Sequence, residues 1–159
     1  LLKAIPHLPI ERFSGIHIIG DGPLRSDCED VADSVQIPVK IHGFLSRNRV
    51  AEVMKKCHFV ILPSKSEGFP KVIAEGANFG CIPIVSNVSA LDQYIEPGVN
   101  GFLLMPSRLK NGLLNSDILD IINSPNLEKV AANAYRMAAN FTFDYYHLRI
   151  QNELISETL

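Results

Sequence analysis

Glu67 and Glu75 stand eight positions apart in the run Ser66-Glu67-Gly68-Phe69-Pro70-Lys71-Val72-Ile73-Ala74-Glu75. A glycine and a proline between them mark the point where a loop gives way to a helix. The preceding His58-Phe59-Val60-Ile61-Leu62 is short, apolar and β-branched, and reads as a buried strand. The unit is therefore strand, loop, helix, with Pro70 near the first helical position, where its missing N–H does no harm. Backbone N–H groups of Gly68, Phe69 and Lys71 at such a positive helix end form a site for phosphate or sugar hydroxyls. A carboxylate accepts paired hydrogen bonds from vicinal hydroxyls. Two acids around an anion site thus suit a ligand that is both phosphate and polyol, as a nucleotide sugar is. The plainer reading makes Glu67 a helix-start acid favoured by the dipole and pairs Glu75 with Lys71 at i,i+4 on a solvated face.

The elements that position this unit alternate along the chain. Strands are expected at Ile16–Ile19, Val39–His42, 58–62, Ile82–Val85 and Gly101–Leu104. Helices are expected at the start (Leu1 to Leu8, closed by Pro6 and Pro9), at Pro23–Ser34, from the Ser46 cap to Lys56, at 70–79 and, briefly, at Leu91–Ile95. The chain then turns helical, at Leu113–Asn123, Leu127–Ala139 and Asp144–Glu157. Such alternation predicts an α/β fold, a doubly wound parallel sheet covered on both faces, with a helical C-terminal tail. Ligands of such sheets bind beyond the carboxyl ends of the strands. The turn at Gly20, the glycine at Gly43 and the 63–70 loop all follow strands, so they converge on one edge.

Several runs together resemble the nucleotide-sugar-binding, C-terminal half of the GT-B glycosyltransferases, specifically the retaining family 4. They are Ile18-Ile19-Gly20-Asp21-Gly22-Pro23-Leu24, Val39-Lys40-Ile41-His42-Gly43-Phe44, Leu62-Pro63-Ser64-Lys65-Ser66-Glu67-Gly68-Phe69-Pro70 with Glu75, Gly80-Cys81-Ile82-Pro83-Ile84-Val85, and Gly98-Val99-Asn100-Gly101-Phe102-Leu103-Leu104. The resemblance implies a Rossmann-like domain over residues 1–159. Glu75 would bind the ribose hydroxyls of a UDP- or GDP-linked donor, and Glu67 would contact the transferred sugar. The N–H groups of Gly68, Phe69, Lys71 and Val72 would face sugar and diphosphate, with Ser64 and Pro70 in the same lining. Gly43 and Phe44 would lie beside the base, and Gly20, Asp21 and Gly22 near the diphosphate. The donor is a substrate, so no cofactor is implied, and no metal at the diphosphate.

The chain departs from that pattern in places. Gly76 stands where the family usually has alanine, and Asp92-Gln93 where it commonly has Pro-Glu. The family's earlier strand, with a Gly-Arg turn and a lysine that hold the diphosphate, would precede Leu1. That strand would lie between the 16–19 and 58–62 strands, so the expectation is a longer polypeptide. Its N-terminal domain would take the acceptor, a glycan or lipid, and this fragment alone would be inactive. The apolar residues of the last helix (Tyr145, Tyr146, Leu148, Ile150, Leu154, Ile155) either face that domain or pack on their own sheet.

Composition narrows the alternatives. At 159 residues, 47% hydrophobic and 20% charged, the chain has the make-up of one globular domain. A net charge of −2 and an isoelectric point near 6.2 speak against nucleic acid as a partner. Lys40, Arg47, Arg49, Lys55 and Lys56 read as a solvated helical surface. No apolar run reaches 18 residues. The expected location is cytoplasmic, with peripheral association at the inner face of the membrane as an option for the full-length protein. Cys28, Cys57 and Cys81 read as buried or half-buried thiols in a reducing compartment. The five histidines lack metal-ligand spacing, and His42 reads as a strand residue with a structural bond. Three competing readings stay open. A dinucleotide-binding oxidoreductase module fits Gly20-x-Gly22 but finds Arg25 where the third glycine belongs. A non-catalytic sugar-nucleotide binder would keep both glutamates. A nucleotide-sugar epimerase needs acid and base residues that the sequence does not assign.

Overall fold

The computed structural model describes residues 1–68, 71–89, 91–110 and 114–155. Among the described residues five strands, parallel within each ladder, alternate with helices: β1 Ile16–Ile18, α1 Arg25–Ser34, β2 Val39–Ile41, α2 Arg47–Met54, β3 Phe59–Leu62, α3 Lys71–Asn78, β4 Ile82–Ser86 and β5 Phe102–Leu104. Four further helices follow β5: α4 Pro106–Lys110, α5 Leu114–Ile122, α6 Leu127–Ala138 and α7 Phe143–Arg149. The strands fall into two ladders, β1–β2 and β3–β4–β5. Ile16 pairs with Val39 in the first, and Phe59 with Ile82 and Ile84 with Phe102 in the second.

β4 is the centre of the core. Its five residues, Ile82-Pro83-Ile84-Val85-Ser86, are all buried, the continuous apolar run that a strand covered on both faces requires. Successive side chains point to opposite faces. Val85 accordingly joins Ile73 and Ala77 of α3 and Ala134, Met137 and Ala138 of α6 in one apolar layer. Ile84 joins Ala4, Leu104 and the α5 residues Leu114, Ile118 and Ile121 in the other. The result is the expected doubly wound, Rossmann-like α/β arrangement with a helical C-terminal part.

Some expectations are corrected. β3 was expected to be buried, yet all four of its residues are only half-buried, because β4 alone of the two has a pairing strand on each side. The opening helix is a 3₁₀ helix, Leu2–His7, with Pro6 inside it; proline removes the donor an α-helix would need. Leu91–Gln93 is likewise 3₁₀. Ser46 stands at the N-cap of α2 in extended conformation, and its carbonyl accepts from Val50 at 3.0 Å, but its side chain makes no capping bond. α4, Pro106–Lys110, lies in a stretch to which the sequence reading assigns no element. The last helix begins at Phe143, capped by the Thr142 hydroxyl, which accepts from the Tyr145 N–H at 3.2 Å. It passes into a π-helical turn at Ile150–Ile155. Phe143, Tyr146 and Leu148 are 92%, 65% and 53% exposed, so the tail does not bury its apolar residues wholly on its own sheet. Among the described residues no helix is long and apolar enough to cross a membrane.

Candidate functional site

Two glycine turns meet at the carboxyl ends of β1 and β2. The Gly20 N–H donates to the Gly43 carbonyl at 2.9 Å in an isolated antiparallel bridge, which ties one loop to the other. Gly43 needs to be glycine: its φ is +65°, and a Cβ would meet the Arg25 guanidinium at 3.1 Å. Asp21 closes its own turn, its Oδ1 accepting from the Gly22 N–H at 2.9 Å. Its Oδ2 lies 3.4 Å from Arg25 Nη1, and Arg25 Nε donates to Glu29 at 2.9 Å. The Glu29 bond first, and the Asp21 charge after it, hold the Arg25 guanidinium above its ordinary pKa. Both Asp21 oxygens are therefore engaged, one within its own turn and one at the start of α1. Phe44 is 88% exposed beside this bridge.

Downstream of Phe44 the chain enters α2, and its first residue closes the site. Arg47 Nη2 lies 3.3 Å from Glu75 Oε1 on α3. The Glu75 side chain keeps 34% of its exposure and that of Arg47 86%. The structure thus brings Glu75 of α3 to the first residue of α2, three positions after Phe44, although the two helices belong to different strand–helix units. The expected i,i+4 partner, Lys71, does not pair with it. Arg47 was foreseen only as a solvated helical cation, and an arginine after a serine cap carries no signal of a partner on another helix.

Ser64 and Glu67 lie half-buried on the loop leaving β3, Gly68 is exposed with open space around its Cα, and Lys71 and Val72 open α3. The Glu67 carboxylate forms no ion pair among the described residues. Phe69 and Pro70 lie outside the described residues. Glu67 precedes the first residue of α3 by four positions in the chain, and Glu75, one turn into α3, meets Arg47 of α2. Two cavities of about 220 and 190 Å³ lie elsewhere, one lined by Ile5, Pro6, Ser34 and Ile37, the other by Phe102, Met105, Arg108 and Asp117. Neither includes a residue of the candidate site.

His42 makes the structural bond expected of it. Its Nε2 lies 2.8 Å from His17 Nδ1, with the rings stacked at 5.1 Å between centroids. Burial, then the charges of His17 and Lys40, lowers the His42 pKa below its ordinary value of 6.5.

An α/β domain of this topology, with glycine turns and an acid-bearing helix at the carboxyl edge of a parallel sheet, is the form taken by domains of the GT-B glycosyltransferases. Superposition on Anabaena HepE in complex with UDP-glucose gives a TM-score of 0.75 at 23% identity, over all of this chain and 44% of that one. The profile of the Glycosyl transferases group 1 family matches residues 1–137, and the chain belongs to that family. Among curated relatives, an uncharacterised glycosyltransferase of Methanocaldococcus jannaschii is 31% identical over 129 residues, 80% of this chain and 36% of that protein. The alpha-D-kanosaminyltransferase of Streptomyces kanamyceticus is 29% identical over 125 residues, 77% of this chain and 32% of that protein. The chain thus spans about a third of the length of these relatives.

Proposed function

We propose that residues 1–159 form the donor-binding domain of a retaining glycosyltransferase of family 4. In this reading the protein moves a hexose from a UDP- or GDP-sugar to a glycan or lipid acceptor in polysaccharide or glycoconjugate assembly. The acceptor side and completion of the active site belong to the rest of a longer protein, in the cytoplasm or at the inner face of the membrane. The observation that carries the reading is the Arg47–Glu75 pair, because it joins α3, which bears a half-exposed carboxylate, to the start of α2, the helix that follows Gly43 and Phe44 in the chain. Relatives named for sugar transfer and a neighbour solved with UDP-glucose support it.

Each residue then has a chemical task. Glu75 accepts from both ribose hydroxyls, and Gly43 and Phe44 flank the base with Phe44 offering a ring. Gly20, Asp21 and Gly22 border the diphosphate. The N–H groups of Gly68, Phe69, Lys71 and Val72 are assigned to the sugar and the phosphates, and Ser64 and Pro70 to the lining. As the bond from the anomeric carbon to the diphosphate oxygen breaks, positive charge builds on the sugar ring and negative charge on the departing diphosphate. Glu67 stabilises the former and the helix end the latter. The acceptor hydroxyl gives its proton to the departing diphosphate oxygen as its own oxygen bonds to the anomeric carbon on the face the diphosphate left.

The full-length protein, given labelled UDP- and GDP-hexoses and glycan or lipid acceptors, is expected to transfer the sugar with the donor's anomeric configuration kept. Glu67→Gln is expected to lower turnover about 10²-fold, the scale for one transition-state contact. An inverted product would refute retention. Donor binding without transfer to any acceptor would favour the non-catalytic binder.

A further inference from the structure

Arg47 calls for an explanation beyond stability. Its side chain is 86% exposed, and an exposed ion pair contributes little to folding because water screens it and two long side chains lose freedom. Yet its head does not float. It lies 3.3 Å from one oxygen of Glu75, across a helix–helix gap, while Lys71 one turn away on the same helix as Glu75 does not take that place. Arg47 also follows Phe44 by three positions, so the residue that touches the carboxylate assigned to the ribose is close in the chain to those assigned to the base.

We propose that Arg47 is a second donor-binding side chain. It orients the Glu75 carboxylate toward the ribose diol and presents its remaining N–H groups to the phosphate on the same ribose. This inference rests on the reading of the site as a nucleotide-sugar site and assigns it a further residue. The physical case is the shape of guanidinium: five donors in a planar fork, of which Nη2 alone lies 3.3 Å from Glu75 Oε1. The ligand class it selects is a nucleoside diphosphate over the bare nucleoside. A ribose held by Glu75 places its 5′-phosphate one furanose ring away, within the sweep of an exposed arginine. Lysine, a single ammonium, cannot bond carboxylate and phosphate along two edges at once.

The test is calorimetric titration of the purified full-length protein and its Arg47→Ala, Arg47→Lys and Glu75→Ala variants with UDP, uridine, GDP and guanosine. For the base that binds, Arg47→Ala is expected to weaken the diphosphate about tenfold, the scale of a charge-assisted bond discounted for exposure. The nucleoside is expected to weaken less than threefold, and Arg47→Lys to recover part of the loss. The gap between diphosphate and nucleoside should narrow at high salt. The unfolding midpoint of Arg47→Ala serves as the folding control and is expected to match the wild type. If the wild type binds, Glu75→Ala weakens it and Arg47→Ala does not, the inference fails and the site reading stands. If Arg47→Ala tightens the nucleoside, Arg47 is a competitor of the ribose and the inference is overturned. If no nucleotide binds to the wild type, the site reading fails and takes the inference with it.

Discussion

Replacing Gly76 by alanine tests how α3, and with it Glu75, is seated on the sheet. On an exposed helix this change stabilises by up to about 1 kcal/mol, because glycine loses more backbone entropy on folding. Gly76, however, is buried against β3. A Cβ there would stand 2.9 Å from Val60 Cγ1 and 3.1 Å from Val60 Cβ, whereas ordinary contact begins near 3.4 Å. The deficit of about 0.5 Å cannot be relieved by rotation, since valine is stiff at χ1 and the 3.1 Å contact is to Cβ itself. Helix or strand must give way. Overpacking of this kind costs about 1–3 kcal/mol. Set against the helical gain, the net is a loss of about 0–2 kcal/mol, and each kcal/mol lowers Tm by about 2–4 °C in a domain of this size. Urea unfolding followed by circular dichroism, with Val60→Ala as the second arm, measures it. Val60→Ala removes the 2.9 Å contact and keeps the 3.1 Å one, so the alanine penalty at 76 is expected to shrink in that background without vanishing. Glu75 is the adjacent residue, so nucleotide affinity should fall along with stability. Stabilisation by the full helical increment, unaffected by Val60→Ala, would refute the reasoning.

Other predictions follow from the protonation of named groups. His42 has its pKa lowered by burial first, so between that value and its ordinary 6.5 the native chain binds fewer protons than the unfolded one. Its contribution is therefore in place above about pH 6.5 and is lost as the pH falls through that window. His42→Gln is expected to flatten the rise of Tm with pH below about 6.5, and an unchanged slope would count against this account. The Cys81 thiol is pushed up to about 11 by burial and then by Cys57, and its Sγ donates to the Met54 and Cys57 carbonyls at 3.3 Å each. In the native protein at pH 8, iodoacetamide is expected to label Cys28 well before Cys81, which reacts only on unfolding. Equal labelling rates read by mass spectrometry would contradict the burial.

Much of this architecture is legible because its signals are local. The unbroken run from Ile82 to Val85 reads as a strand, and its burial on both faces is what such a run requires. Gly20, Gly43 and Gly68 announce turns after strands, and the 2.9 Å bridge from Gly20 to Gly43 shows two of those turns meeting. What resisted reading depends on contacts between elements. The half-burial of β3 is set by which strands pair with it, which its own four residues do not encode. Gly76 looks like a poor helix former until Val60 supplies the reason for it. Arg47 looks like one more surface cation, because the oxygen it reaches belongs to a different crossover helix. The 3₁₀ form of the opening helix is not legible because Pro6 reads as a helix end, whereas it lies inside the short turn Leu2–His7.

Binding of nucleotide sugars with and without Glu75 bears most directly on the site. Calorimetric titration with UDP, GDP, ADP and their sugars, in the wild type and in Glu75→Ala, is predicted to show one preferred nucleotide sugar. Loss of the carboxylate's charge-assisted bonds to the ribose should weaken it at least about tenfold. Equal affinity in the variant, or binding of NAD in place of any nucleotide sugar, would contradict the account.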